Sequence, residues 1–337
     1  MIQQPSPVEV FDLLYILAAR DGREEALFGS SADLAYPVAK QALIGDIYPS
    51  IYLEFPLKRK PCFDLLVGYG EMPSGLRFAP DGGFGYQPLF DWFSSLPTGH
   101  GASCGFSMDT GSGETQRPGV YLQYRNQPDL AAPFLDVIGE SGRFSSYSAA
   151  LLRLPKGMPA SYIGLFPGRE GTPLRIGGYM GRSLQTDAAR TPGLLGKCFD
   201  RIGFYAYDGA MLERCGEIFS LAPSVDFQFN LFPDGALGDV FGLSMSFNRV
   251  SPRQAAEWMT TGCGRDMMLL LQRWGLADDR WKLLPGTAIS KGIPVEGPRG
   301  EKKLLGLVVR FNYAKVKFKG GAPVSAKFYL RLHAGLL

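Results

Sequence analysis

Histidine is almost missing from this chain: His100 and His333 are the only two among 337 residues. Two imidazoles are too few for a histidine-rich metal centre, and they argue against a proton relay built on histidine. Cysteine is sparse as well. Its five residues, Cys62, Cys104, Cys198, Cys215 and Cys263, form no C-x-x-C pair. An odd, scattered count reads as reduced thiols in the cytosol, not as a disulfide framework or a zinc site. No stretch approaches the roughly 18 to 20 apolar residues that span a bilayer. At the N-terminus there is no basic leader and no small-residue cleavage site; Asp12 interrupts the apolar stretch and Arg20 ends it. These absences lead us to expect a cytoplasmic protein with no membrane partner. A charge bias is lacking too: 35 Lys+Arg stand against 32 Asp+Glu, a net charge of +3. That disfavours the whole-chain basic footprint of a nucleic-acid binder.

What the chain has in excess is glycine and proline, 43 and 25 residues, about a fifth of its length against roughly 12% in average proteins. They are spread evenly, as expected for many short strands and turns. Strand-like runs come in pairs, five times over: Tyr48 to Leu57 with Phe63 to Gly70, Ala102 to Asp109 with Gly119 to Asn126, Ser161 to Pro167 with Leu174 to Gly181, Val225 to Phe232 with Val240 to Asn248, and Leu304 to Phe318 with Val324 to His333. PDGALGD and Lys319-Gly320-Gly321 are turn signals inside the last two pairs. Helical stretches are expected at Pro7 to Arg20, Gln87 to Ser95, Asp129 to Ile138, Leu194 to Ile202 and Ser251 to Trp274. The last is the best marked, with Ser251 as cap, Pro252 in the first turn and Gly275 as terminator.

The alternation within the strands carries the argument. Ile51, Leu53 and Phe55 share one face, and Tyr52 and Glu54 the other. Val120, Leu122 and Tyr124 oppose Tyr121, Gln123 and Arg125; Leu174, Ile176 and Met180 oppose Arg175 and Tyr179; Phe227, Phe229 and Leu231 oppose Asp226, Gln228 and Asn230. Leu307, Val309 and Phe311 oppose Arg310 and Asn312, while Phe328, Leu330 and Leu332 oppose Lys327, Tyr329, Arg331 and His333. The apolar face suits a cover of helices. The other face is rich in Tyr, Arg, Gln, Asn and Lys, residue types that bind something. Ten antiparallel strands closed into a barrel would enclose a lumen too wide for side chains alone to fill.

This pattern resembles the ABBA prenyltransferases. GFSMDTGSGETQRPGVYLQYRNQPDLAAPFLDVIGESG is similar to the second repeat of the cyanobactin-type peptide prenyltransferases, and KVKFKGGAPVSAKFYLRLHAG to the family's closing hairpin. The resemblance implies an α+β fold: a ten-stranded antiparallel β-barrel surrounded by α-helices, five repeated ααββ-type units in one domain over residues 1–337. It implies an enzyme that moves an allylic group from dimethylallyl or geranyl diphosphate to a peptide, as in RiPP biosynthesis, or to an aromatic small molecule. Mg²⁺ could act on the diphosphate. By strand position, Arg125, Arg175, Arg310, Lys327 and Arg331 become candidates for the diphosphate, with Gln123, Gln228 and Asn312 as neutral donors. Tyr52, Tyr121, Tyr179 and Tyr329 would shield the cation, and Glu54 would be the general base. Two strands look thin: one offers Gly242, Ser244 and Ser246 to the lumen, the other Asp64, Leu66 and Gly68. Either the barrel opens there for a bulky acceptor or its diphosphate site is small. A non-catalytic barrel binding a small anionic or amphipathic ligand is the rival reading.

Other motifs weigh less. Gly101-Ala102-Ser103-Cys104-Gly105 matches G-x-S-x-G, but strand and turn follow it where a nucleophile elbow needs a helix. Gly193 to Cys198 lacks the spacing of a P-loop, and Asp278-Asp279 lacks the third aspartate of D-D-x-x-D. Lys58-Arg59-Lys60 reads as a solvated loop. From Arg299 onward nine basic residues face one acidic residue, Glu301; because they alternate with core-type residues, a diphosphate lumen suits them better than nucleic acid.

Overall fold

The computed structural model describes residues 2–29, 48–58, 60–70, 86–109, 117–247, 250–297 and 300–336. Arg59, Asn248, Arg299 and residues 110–116 of the second-repeat segment lie outside them. The ten barrel strands are β2 (Ser50–Pro56), β3 (Asp64–Tyr69), β4 (Ser103–Met108), β5 (Gly119–Gln123), β6 (Ala160–Leu165), β7 (Leu174–Tyr179), β8 (Val225–Leu231), β9 (Leu237–Ser246), β11 (Lys302–Lys319) and β12 (Ala322–Leu336). Each pairs antiparallel with the next, β12 returns to β2, and β9 pairs with β11 to close the ring. The ten-stranded barrel with helices around it is therefore present.

Two further strands extend the sheet beyond the barrel. β10 (Ile289–Glu296) pairs with the first half of β11, and β1 (Ile2–Gln3) pairs parallel with β10. The long strand β11 can serve both neighbours because β10 takes residues 302–309 and β9 takes residues 313–319.

Alternation fixes the layering. Leu53, Phe55, Val67, Leu122, Ile163, Phe227, Phe229, Leu243, Phe328 and Leu330 are buried on the outer face of the barrel, where the helices cover them. Phe11 and Leu14 come from the helix Pro7–Ala19, Leu89 and Phe93 from Gln87–Ser94, Leu195 and Phe199 from Gly193–Ile202, and Met211 and Ile218 from Gly209–Leu221. Phe199 shows how tight this layer is: its ring centroid lies 4.8 Å from Phe241 and 5.1 Å from Phe204. Ser6 caps the first helix through a capping box with Glu9.

Several expected boundaries shift. Helices at Phe144–Arg153, Arg182–Arg190 and Gly209–Leu221 had no expectation. The Ser251 to Trp274 stretch is two helices, Pro252–Thr260 and Cys263–Arg273. Gly262 is extended between them, and the Trp258 ring packs where a β-carbon on Gly264 would come within 2.3 Å of it. Ser251 gives its hydroxyl to Gln254 instead of capping a backbone amide. Gly275, at φ 71°, does terminate the second helix.

Candidate active site

The strands enclose a cavity of about 540 Å³. Its lining draws on all ten barrel strands or the residues flanking them, and includes Glu54, Tyr52, Tyr121, Gln123, Arg125, Arg175, Gln228, Asn312, Tyr329 and Arg331. Lys327 adjoins it through an ion pair to Glu54. Arg310 and Tyr179 are not among the lining residues. Tyr179 ends β7 and is 46% exposed, past the rim. Arg310 pairs across the strands with Arg331, at the point where β9 has left β11.

The five expected cations separate into two groups. Arg125 is exposed at the rim, in a left-handed backbone conformation (φ 53°), near Gln123, which bonds Ser103 at 3.2 Å. Arg331 also lies toward this end, held by Ser50 at 2.7 Å and set over the Tyr52 ring. Arg175 and Lys327 belong to the opposite half.

That half is where the charge is concentrated, and most of it was not foreseen. β11 carries a β-bulge between Phe311 and Tyr313. The extra residue, Asn312, reverses which parity faces inward. Before it Leu307, Val309 and Phe311 point to the core; after it Ala314, Val316 and Phe318 do. Tyr313, Lys315 and, by the same parity, Lys317 consequently turn to the lumen side. The signal was in the sequence as a break in alternation within one uninterrupted run, and the nine basic residues from Arg299 onward already included both lysines.

Lys327 is placed between two carboxylates, 2.7 Å from Glu54 and 2.5 Å from Asp64. Burial works against its charge, but the two carboxylates outweigh burial and hold the ammonium above its ordinary range. Burial likewise opposes the charge on Glu54; Lys327, Lys315 and Lys317 outweigh it and keep that carboxyl far below the usual carboxylate range. One lysine cannot serve both acids equally, and burial raises Asp64 instead.

Lys315 is 5% exposed, and its ammonium bonds the Gln228 side-chain oxygen. Burial, then Arg175 and Lys317, push it well below the ordinary lysine value. Lys317 is pushed down to about 8 by burial, Lys327 and Arg175. Arg175 lies over the Phe166 ring at 4.1 Å; Arg169 approaches the same ring at 4.2 Å and pairs with Asp109 at 3.0 Å. Among the described residues no carboxylate stands within ion-pair distance of Arg175, Lys315 or Lys317. Crowded like charges of this kind favour binding of an anion.

Tyrosines form the rest of the wall. Tyr313 and Tyr329 lie with ring centroids 4.1 Å apart, and burial raises both phenols well above their usual value. The Tyr121 hydroxyl donates to the Val67 carbonyl at 3.2 Å. The thin strands now have an explanation. A β-carbon on Gly68 would come 2.6 Å from the Tyr121 hydroxyl oxygen, and one on Gly242 would lie 3.3 Å from the Lys315 and Gln228 side chains. Small residues on these strands make room for large ones reaching over from others nearby.

No protein-family model matches the chain, and no curated protein does. Solved structures do match in fold. The 5-dimethylallyltryptophan synthase of Streptomyces coelicolor aligns with a TM-score of 0.56 at 12% identity, covering 97% of both chains. The same enzyme has been solved in complex with DMASPP and Trp. PriB, as its binary complex with product diphosphate, aligns with a TM-score of 0.53 at 14% identity, covering 98% of this chain and 96% of that one. Its ternary complex holds L-tryptophan and dimethylallyl thiolodiphosphate. This chain thus has the barrel fold of those prenyltransferases. Among the described residues, no helix is long and apolar enough to cross a membrane.

Proposed function

We propose that this protein is a prenyltransferase that moves an allylic group from a prenyl diphosphate to an aromatic acceptor inside the barrel. The observation that carries the reading is the group of lumen cations without carboxylate partners, Arg175, Lys315 and Lys317, next to a wall of tyrosines. The fold likeness supports it.

In this reading Arg175, Lys315, Lys317 and Lys327 hold the diphosphate, with Gln228 as a neutral donor. The allylic C–O bond ionises and its electron pair leaves with the diphosphate, where the cations stabilise the growing charge. The allylic cation lies against the faces of Tyr52, Tyr121, Tyr313 and Tyr329. An acceptor ring carbon attacks it, and the proton displaced from that carbon passes to Glu54. The lysines that weaken Glu54 as a base are the ones the diphosphate neutralises. Donor binding therefore raises the basicity of Glu54 when it is needed. Arg125, Arg310 and Arg331, with Gln123 and Asn312, draw the anionic donor toward the cavity.

A volume of about 540 Å³ is in the range of ordinary small-ligand sites, and we favour a dimethylallyl donor with a tryptophan-like acceptor. A geranyl donor and a cyanobactin-type peptide acceptor are the finer alternatives carried by the sequence resemblance. The residues present do not fit a resident Mg²⁺. Among the described residues no three His, Cys, Asp or Glu stand together, and Glu54 and Asp64 are engaged with Lys327.

The test is calorimetric titration with dimethylallyl thiolodiphosphate, in Mg²⁺ and in chelator. Micromolar binding that is lost in an Arg175→Ala, Lys315→Ala double variant, followed by turnover of authentic donor with tryptophan or an aromatic peptide, is the expected result. If neither this analogue nor its geranyl homologue binds, the transferase reading fails and the ligand-binding barrel replaces it.

A further inference from the structure

The cavity wall contains two carboxylates, Glu54 and Asp226. Glu54 has its lysine. Asp226 has neither an ion pair nor a hydrogen bond among the described residues, and only its burial acts on it, pushing the carboxyl up to about 6. It is the second residue of β8, on the lumen face, and lies directly across the sheet from Tyr179 on one side and Ser244 on the other.

Two neighbouring hydroxyls share this lack of partners. Ser244 is 2% exposed, and its Oγ is buried without a hydrogen bond. The Tyr162 hydroxyl is also buried without a hydrogen bond of good geometry, with the Gln228 side chain beside it, and its oxygen lies within electrostatic reach of Arg175 and Asp226. All three residues line the same cavity. Facing cross-strand residues hold their β-carbons about 5 Å apart, so the Asp226 carboxylate and the Ser244 hydroxyl can reach one guest atom. Leaving a carboxylate and two hydroxyls unsatisfied at one spot is costly unless something fills it. An ammonium has three N–H donors and one positive charge. It matches three oxygen acceptors of which one is anionic, and Lys315, on β11 directly across from Ser244, is turned to the Gln228 oxygen instead.

We infer that Asp226, Ser244 and Tyr162 form a subsite for the ammonium group of the acceptor, which makes the acceptor an aromatic amine, amino acid or amine-bearing peptide. The inference rests on the prenyltransferase reading for the word acceptor, but the subsite itself can be tested apart from it. A diphosphate on the cations would hold the donor, and an ammonium at Asp226 would hold the acceptor beside it.

The experiment compares L-tryptophan and tryptamine with their N-acetyl derivatives by calorimetry, on protein alone and on protein saturated with dimethylallyl thiolodiphosphate. The expected result is at least a tenfold preference for the free amine. Asp226→Asn should abolish that preference while leaving the N-acetyl compounds and the thiolodiphosphate bound within twofold of wild type, and Ser244→Ala should reduce it severalfold. If neither free amine binds better than its N-acetyl derivative, or if Asp226→Asn weakens both forms equally, the subsite is refuted. An amine preference lost in Asp226→Asn without any binding of thiolodiphosphate would keep the subsite and remove the transferase reading. Thiolodiphosphate binding without an amine preference would do the reverse.

Discussion

The two carboxylates of the cavity wall are chemically alike and physically opposite. Glu54 is charged because three lysines surround it; no cation among the described residues pairs with Asp226, and burial alone pushes its proton affinity up. The difference follows from the residues each strand meets, since both strands are one strand away from β11. β2, which carries Glu54, adjoins β12 with Lys327, and β12 adjoins β11 with Lys315 and Lys317. β8, which carries Asp226, has Ser244 and Gly242 on one neighbour and Gly177 and Tyr179 on the other. One region is built around its own ions, and the other is left open for a charge from outside.

The largest effect should come from breaking the crowded region. Lys327→Ala leaves Glu54 and Asp64 buried together without their shared cation, and removing one member of a buried ionic group typically costs about 3 to 5 kcal/mol. Denaturant titration should show that loss, and adding Glu54→Gln and Asp64→Asn should recover most of it. No recovery would mean that Lys327 acts by packing, not by charge.

Next in size is the Arg175→Ala, Lys315→Ala pair. Each charge-assisted contact to a diphosphate contributes about 1.5 to 3 kcal/mol, so thiolodiphosphate should bind at least about 100-fold more weakly. Stability should hold or rise, because these cations repel one another. A large drop in stability would assign them a structural role.

Asp226→Asn tests the open region without any ligand. The native state holds the Asp226 proton up to about pH 6, whereas the unfolded chain releases it near 3.8. Between those values the native state binds more protons, so wild-type stability falls as pH rises through the window. The charged or titratable groups on the lumen side of the strands around it are Tyr162 on β6, Arg175 and Tyr179 on β7, and Lys315 and Lys317 on β11; none contributes to the shift. Above pH 6 the Asn variant should be more stable than wild type by roughly 1 to 3 kcal/mol, and the two should converge below pH 4. A constant offset at every pH would show that charge is not involved.

The smallest change is expected at the rim. Arg331→Gln should slow thiolodiphosphate association no more than about tenfold, in a salt-sensitive manner, with little change in dissociation. A dominant effect on dissociation would move Arg331 into the diphosphate site itself.

Much of this was legible from residue alternation. The apolar faces of β2, β8 and β12, the five strand pairs and the lumen positions of Tyr52, Glu54, Arg175, Gln228, Tyr329 and Arg331 all follow from a period of two. Lys315, Lys317 and Tyr313 were missed because a single bulged residue, Asn312, reverses the parity for the rest of β11. The break was visible in Ala314, Val316 and Phe318, but a continuous strand was the simpler reading. The split helix at Gly262 was missed for a related reason: periodicity continues across the break, and only the packing of Trp258 over Gly264 reveals it.

Local pattern therefore determined which residues turn inward, since side-chain direction along a strand depends on the backbone of that strand alone. Only closure of the barrel decided which inward residues meet. Lys327 and Asp64 are 263 positions apart in the chain and come together because β12 joins β2 and β2 joins β3. Asp226 lacks a cation because the ring places Tyr179 and Ser244 directly beside it, and Lys315 beyond Ser244 is tied to Gln228. Charge interactions depend on distance in space, and that distance was set by strand order and register.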